Sequence, residues 1–186
     1  MIKMMMVSAL VCVVPAVVGA CSPVRSHSAG LATAPFPQYR TFSFGTGESS
    51  PAGFKSSPRT AEVERRMLPI VAAVLQEKGY AAAETGKKGD VVVACASGAR
   101  KGIKRPASAS SHGAADGLAD DEEEDFVEGA IVIDMFDGTN DGQVWHGAAR
   151  AEVNPDKIDD QLLQRAVREV LAPFPVHATS GPQAAR

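Results

Sequence analysis

The sequence predicts a small α/β (α+β) domain. It is expected as a two-layer sandwich in which a mostly antiparallel sheet of about four strands carries two helices on one face, in the order β-α-β-β-β-α. Three observations predict it. Two stretches, beginning near Thr60 and Asn154, repeat apolar residues at spacings of three and four, the period of a helix with one buried face. Four others are short runs rich in Val, Ile and Phe, alternating or continuous, as strands are. The segment DGTNDG at 137–142 joins two of those runs and carries a hairpin signal, so at least that pair is antiparallel.

Ahead of the domain the chain opens on Lys3, an apolar run to Val18, and the small residues Gly19 and Ala20. A charged start, an apolar middle and a small-residue end are the layout of a secretory signal peptide, expected here over residues 1–20. As a membrane span, Met4–Ala20 lies at the short end of the roughly 17–25 residues required. Pro15 within it and Pro23 just beyond it weaken that reading. The residues VGAC, ending at Cys21, resemble the lipobox of bacterial lipoproteins, which implies cleavage before Cys21 and attachment of a diacylglyceryl group, and further acyl chains such as palmitate, to it. Cys12 then leaves with the signal, and Cys95 has no partner for an internal disulfide.

Residues 21–38 are Pro-, Ser-, Ala- and Gly-rich without a period, and are expected to form a lipidated flexible tether. From Tyr39 to Gly45, Phe42 and Phe44 alternate with Thr41 and Ser43 as in a half-buried strand. A turn-rich piece follows. The first helix then places Val63, Met67, Ile70, Val71 and Val74 on one face, with Thr60 as its expected N-cap, Gly79 as its stop, and a kink at Pro69. Asp90–Ser97 is a Val-rich strand. Between Gly98 and Asp125 a basic cluster (Arg100, Lys101, Lys104, Arg105) gives way to DDEEED. The apolar content there is too low to offset the entropy of ordering it, so residues 98–125 are expected as a disordered insertion. Val127–Phe136 and Gln143–Val153 are the hairpin strands. Asn154-Pro155 is expected to open a helix bearing Ile158, Leu162, Ala166, Val167 and Val170, which Pro173 and Pro175 end. Residues 176–186 are expected as a disordered tail.

Quoted in order, LQEKGY, DVVV, GAIVIDMFD, GQVWHGAA and LAPFP, together with the lipobox, resemble a family of bacterial lipoproteins known as the domain of unknown function four-one-three-six. The resemblance runs from about Tyr39 to Pro175. It implies a small α/β domain in the bacterial cell envelope and brings no catalytic residues with it. Ser22 after the cysteine resembles the sorting pattern for the outer membrane, facing the periplasm.

Charge narrows the partners. After residue 20, 22 acidic residues face 18 basic ones, Lys3 being the only charge in the leader. A nucleic-acid partner is not expected from such a balance. The four histidines, His27, His112, His146 and His177, are too far apart for a zincin or zinc-ribbon pattern. His146, beside an inward-packing Trp145, reads as a polar strand position. DGTNDG matches an EF-hand start at Asp137, Asp141 and Gly142, but Thr139 and Ala148 occupy ligand places and strands flank it, which favours a turn. The glycines after Phe44 open no helix and make a turn rather than a dinucleotide loop. Cys95, among valines, reads as a small hydrophobe.

No catalytic set, cofactor or metal site is therefore expected. The expected function is a membrane-anchored, non-enzymatic binding or scaffolding domain, joined to the membrane by the lipid on Cys21 and working with an envelope protein partner. The alternatives are a cell-envelope hydrolase using Asp134 and Glu152 brought together by the fold, and an electrostatic module built on the insertion.

Overall fold

A computed structural model of the chain describes residues 23–31, 33–46, 50–104 and 124–177. Cys21, the leader, the DDEEED run up to Glu123, and residues 178–186 lie outside them. Among the described residues six strands form one mixed sheet: β1 (Arg25–Gly30), β2 (Thr41–Phe44), β3 (Ala81–Ala82), β4 (Val91–Lys104), β5 (Glu124–Asp137) and β6 (Gln143–Val153). Their spatial order is β1-β6-β5-β4-β2-β3. The run β4-β5-β6-β1 is antiparallel, whereas β2 is parallel to both β4 and β3. The α+β class and the two helices, α1 (Pro58–Glu77) and α2 (Asp160–Leu171), stand as expected. The sheet is wider than the four strands anticipated, and mixed.

The segment read as a tether is in part a strand. RSHSAG at 25–30 pairs along β6, with Arg25 opposite Arg150 and Gly30 opposite Trp145. Its side chains are mostly exposed, so it is held chiefly by the backbone ladder that satisfies the β6 edge. A short 3₁₀ turn, Phe36–Gln38, follows. The insertion is likewise shorter than expected. β4 continues to Lys104 and β5 begins at Glu124, in unbroken antiparallel register from Gly98 opposite Ala130 to Lys104 opposite Glu124. Here again the ladder outweighs polar composition, because each strand's neighbour supplies its hydrogen bonds.

α1 begins one turn earlier than its apolar period suggests. Ser57 is the N-cap: its side chain accepts from Thr60 N, while Thr60 Oγ1 accepts from Ser57 N, a reciprocal capping box. The helix is continuous through Pro69 to Glu77, and Gly79 just beyond its C-cap Lys78 stops it, with a φ of 91° in the left-handed conformation a glycine takes readily. α2 starts later than Asn154-Pro155. Residues 154–159 are a loop, and Asp159 caps the helix by accepting from the amides of Gln161 and Leu162 at 2.9 and 3.0 Å.

The core lies between the sheet and the two helices. Met67, Val71 and Leu75 of α1 and Val167, Val170 and Leu171 of α2 are buried against Val91, Val93, Ile133 and Met135. Each such side chain contributes about 1.5–3 kcal/mol through removal from water. An aromatic layer closes one end: Phe174 meets Trp145, Tyr80 and Phe36 at ring-centroid distances of 5.2, 5.3 and 5.6 Å. The tail does not begin at Val176, because His177 docks, its amide donating to Lys78 O at 2.8 Å and its ring lying 4.5 Å from that of Tyr80. Among the described residues no helix is long and apolar enough to cross a membrane.

Candidate functional site

The fold separates the two carboxylates anticipated as a pair. Both lie on the sheet face away from the helices, but Glu152 stands opposite Glu128 whereas Asp134 stands opposite His146. Six residues along β5, at ~3.3 Å each, put them about 20 Å apart, too far to share a substrate bond. Asp134 instead meets neighbours the sequence did not pair with it. Its Oδ1 lies 2.7 Å from His146 Nδ1 and accepts from Gln143 Nε2 at 2.7 Å. A carboxylate can orient an imidazole in this way for base catalysis. A shallow cavity of about 320 Å³ beside it is floored by Ala94, Ala96 and Ala148, with Ser50 and Arg150 at its edge. Ser50 Oγ is turned away, donating to Ser97 O at 3.0 Å, and no hydrogen bond joins a nucleophile to His146 among the described residues.

Further along this face the contacts are structural. Phe54 packs beneath Arg100 and Arg150, whose guanidinium carbons lie 4.7 and 5.2 Å from its ring centre, and Arg100 Nε donates to Glu128 at 2.7 Å. At the hairpin the sequence Asp137–Gly142 forms a turn. Asp137 Oδ1 accepts from the Thr139 amide at 2.7 Å and from its hydroxyl, and Oδ2 accepts from the Tyr39 hydroxyl at 2.7 Å. Those bonds, the Thr139 hydroxyl foremost, hold the Asp137 carboxyl down at about 2. This is a structural clasp; no cluster of metal-ligating side chains occurs among the described residues. Cys95 is buried, and burial pushes its thiol up to about 12.

The larger concavity is on the helix-bearing face, and sequence reasoning missed it. Successive rows across β4, β5 and β6 read Ser97–Ile131–Ala149, then Ala99–Gly129–Ala151, then Lys101–Val127–Val153. The first row is covered where the helices begin, Ser97 Oγ donating to Thr60 O at 2.8 Å. The second carries nothing larger than a methyl group. Val63 of α1 and Leu162 of α2 flank it, Ile158 overhangs from the loop before α2, and the groove encloses about 490 Å³. Its floor is strand backbone already engaged in ladders, so the interior offers apolar contact and few hydrogen bonds. Its exposed polar lining includes Arg59, Lys157, Asn154, Glu152 and Asp159, of which Glu152 has a partner of its own and Asp159 is committed to capping α2. Arg59 and Lys157 are exposed, and neither side chain enters a hydrogen bond or ion pair among the described residues.

Comparison with known proteins gives a fold and a family. Among solved structures, a PDZ domain protein from Parabacteroides distasonis is 11% identical with a TM-score of 0.51 over 84% of this chain. This chain spans only 37% of that one. PelC from Paraburkholderia phytofirmans, crystallised as a dodecamer, is 13% identical with a TM-score of 0.47, covering 85% of this chain and 100% of that one. A DUF4136 family protein from Bacteroides thetaiotaomicron is 11% identical with a TM-score of 0.47, covering 80% of this chain and 94% of that one. At these identities the likeness concerns fold alone. No curated protein sequence matches the chain. The family model described as "Domain of unknown function (DUF4136)" matches residues 28–176, a span that takes in the second half of β1 and both helices, and the chain therefore belongs to that family.

Proposed function

We propose that this protein is a lipid-anchored lipoprotein of the bacterial cell envelope, held in the outer membrane through Cys21 and facing the periplasm, whose domain binds rather than catalyses. The anchor rests on the sequence alone: a short apolar leader ending in VGAC directly before the folded domain. The observation that carries the binding reading is the open groove over the Ala99–Gly129–Ala151 row, a pre-formed apolar concavity of about 490 Å³, within the roughly 300–1,000 Å³ of ligand sites. A hydrolase built on Asp134 and Glu152 loses its basis with their separation along the strands.

Intact mass of the membrane-extracted protein, wild type against Cys21→Ala, tests the anchor. A lipid-sized increment that vanishes in the variant is expected, and an unmodified wild-type chain retaining its leader would overturn it. In-cell crosslinking from the groove, with a photoreactive residue in place of Leu162, tests the binding. A discrete adduct is expected there and not from a control position at Thr139 on the hairpin.

A further inference from the structure

The groove's two halves differ in chemistry, and together they specify an amphiphile. Its floor is backbone already hydrogen-bonded and it is flanked by Val63, Ile158 and Leu162, with Glu152 and Asn154 as exposed polar lining, so the part of a ligand lying over the floor must be hydrocarbon. A sugar, nucleotide or polar peptide would leave its own groups unpaired. The floor at Ala99–Gly129–Ala151 is one residue deep and runs across three strands, a slot for a slender chain. The opening is flanked by the cations Arg59 and Lys157, with Lys101 one row further along the same sheet face. Both helices begin there, but their first amides are already capped by Ser57 and Asp159, so recognition of charge falls to the side chains.

We propose that the groove binds a single-chain anionic amphiphile, a long-chain fatty acid, with its tail over the Ala99–Gly129–Ala151 row and its carboxylate between Arg59 and Lys157. This rests on the reading of the domain as a binding module and names its ligand class. The tail supplies most of the affinity by removing groove and chain from water together. The head supplies orientation and a salt-dependent increment, since both cations are exposed.

The test is titration of the full chain with palmitate below its micellar concentration, followed by displacement of anilinonaphthalene sulfonate. Hexadecanol and phosphatidylglycerol vesicles serve as parallel probes, and sedimentation reports self-association. Saturable binding of one palmitate per chain is expected, weakening with salt. Ala151→Trp, which fills the slot, should abolish it. Should that variant misfold, the surface pair Arg59→Glu and Lys157→Glu still decides: palmitate affinity should fall about tenfold while hexadecanol is unaffected. Failure of wild-type chain to bind palmitate, equal loss of both probes in the charge-reversed variant, binding to vesicles alone, or occupation of the groove by a second copy would each overturn the proposal. A groove crosslink to an envelope protein alongside absent palmitate binding would reject the fatty acid and leave the binding module standing.

Discussion

Gly147→Ala is the sharpest available probe of how this domain is packed. Gly147 sits mid-way along β6, opposite Ile133 on one side and Ser28 on the other, facing the helices. A Cβ built there falls closer than 3.0 Å to Val170 Cγ1 of α2, and would lie 3.3 Å from Trp145 Nε1 and 3.4 Å from Ser28 Cβ. Val170 is fully buried and cannot swing out to solvent. Helix and sheet must therefore separate locally, at a cost of about 1–3 kcal/mol for overpacking. For a domain of this size that is a fall in Tm of about 2–12 °C, readable by thermal melts followed by circular dichroism. Val170→Ala alone should destabilise by about 2 kcal/mol through the cavity it leaves. The double variant should cost at least about 0.5 kcal/mol less than the two singles added, because the new methyl occupies the space vacated. Strict additivity, or a neutral Gly147→Ala, would refute this packing of α2 on β6.

Asp137, held low by Thr139 and Tyr39, contributes stability that is complete above the unfolded carboxyl value near 4 and is lost as pH falls toward about 2. Wild-type melts should fall steeply across that window, and Asp137→Asn should be less stable at neutral pH and lack that part of the fall. Ser57→Ala removes the side-chain half of the α1 capping box and should cost about 1 kcal/mol in urea denaturation. Cys95, its thiol raised by burial, should resist iodoacetamide at pH 8 in the folded protein and react within minutes once denaturant is added. Deleting residues 25–30 should bare the β6 edge and raise light scattering on concentration, whereas a true tether would tolerate the change.

Much of the architecture was legible because it is encoded along the chain at short range. The three-four spacing of Met67, Val71 and Val74, and of Leu162, Ala166 and Val170, marks faces that are buried in the folded domain. The turn at 137–142 and the inward Trp145 beside an outward His146 follow from local rules of the same kind. Boundaries were legible only where a residue of special backbone freedom marks them, as Gly79 does. The capping box at Ser57 was overlooked although its Ser-x-x-Thr spacing lies in the sequence, because the apolar period begins only at Val63.

What the sequence by itself determined is thus the class of domain, its two helices, its central hairpin and its kinship. Tertiary structure decided the rest. RSHSAG and the polar end of β4 are strands because neighbouring backbones offer hydrogen bonds, and that offer leaves no hydrophobic pattern in the residues receiving it. Asp134 met His146 rather than Glu152 through the register of β5 against β6. The groove exists because register brings Ala99, Gly129 and Ala151, small residues from three strands, into a single row just beyond the start of both helices. Each of these is a relation between residues distant in the chain. Hydrophobic period describes neighbours along one strand or helix, and register between strands is set only when the whole sheet is assembled.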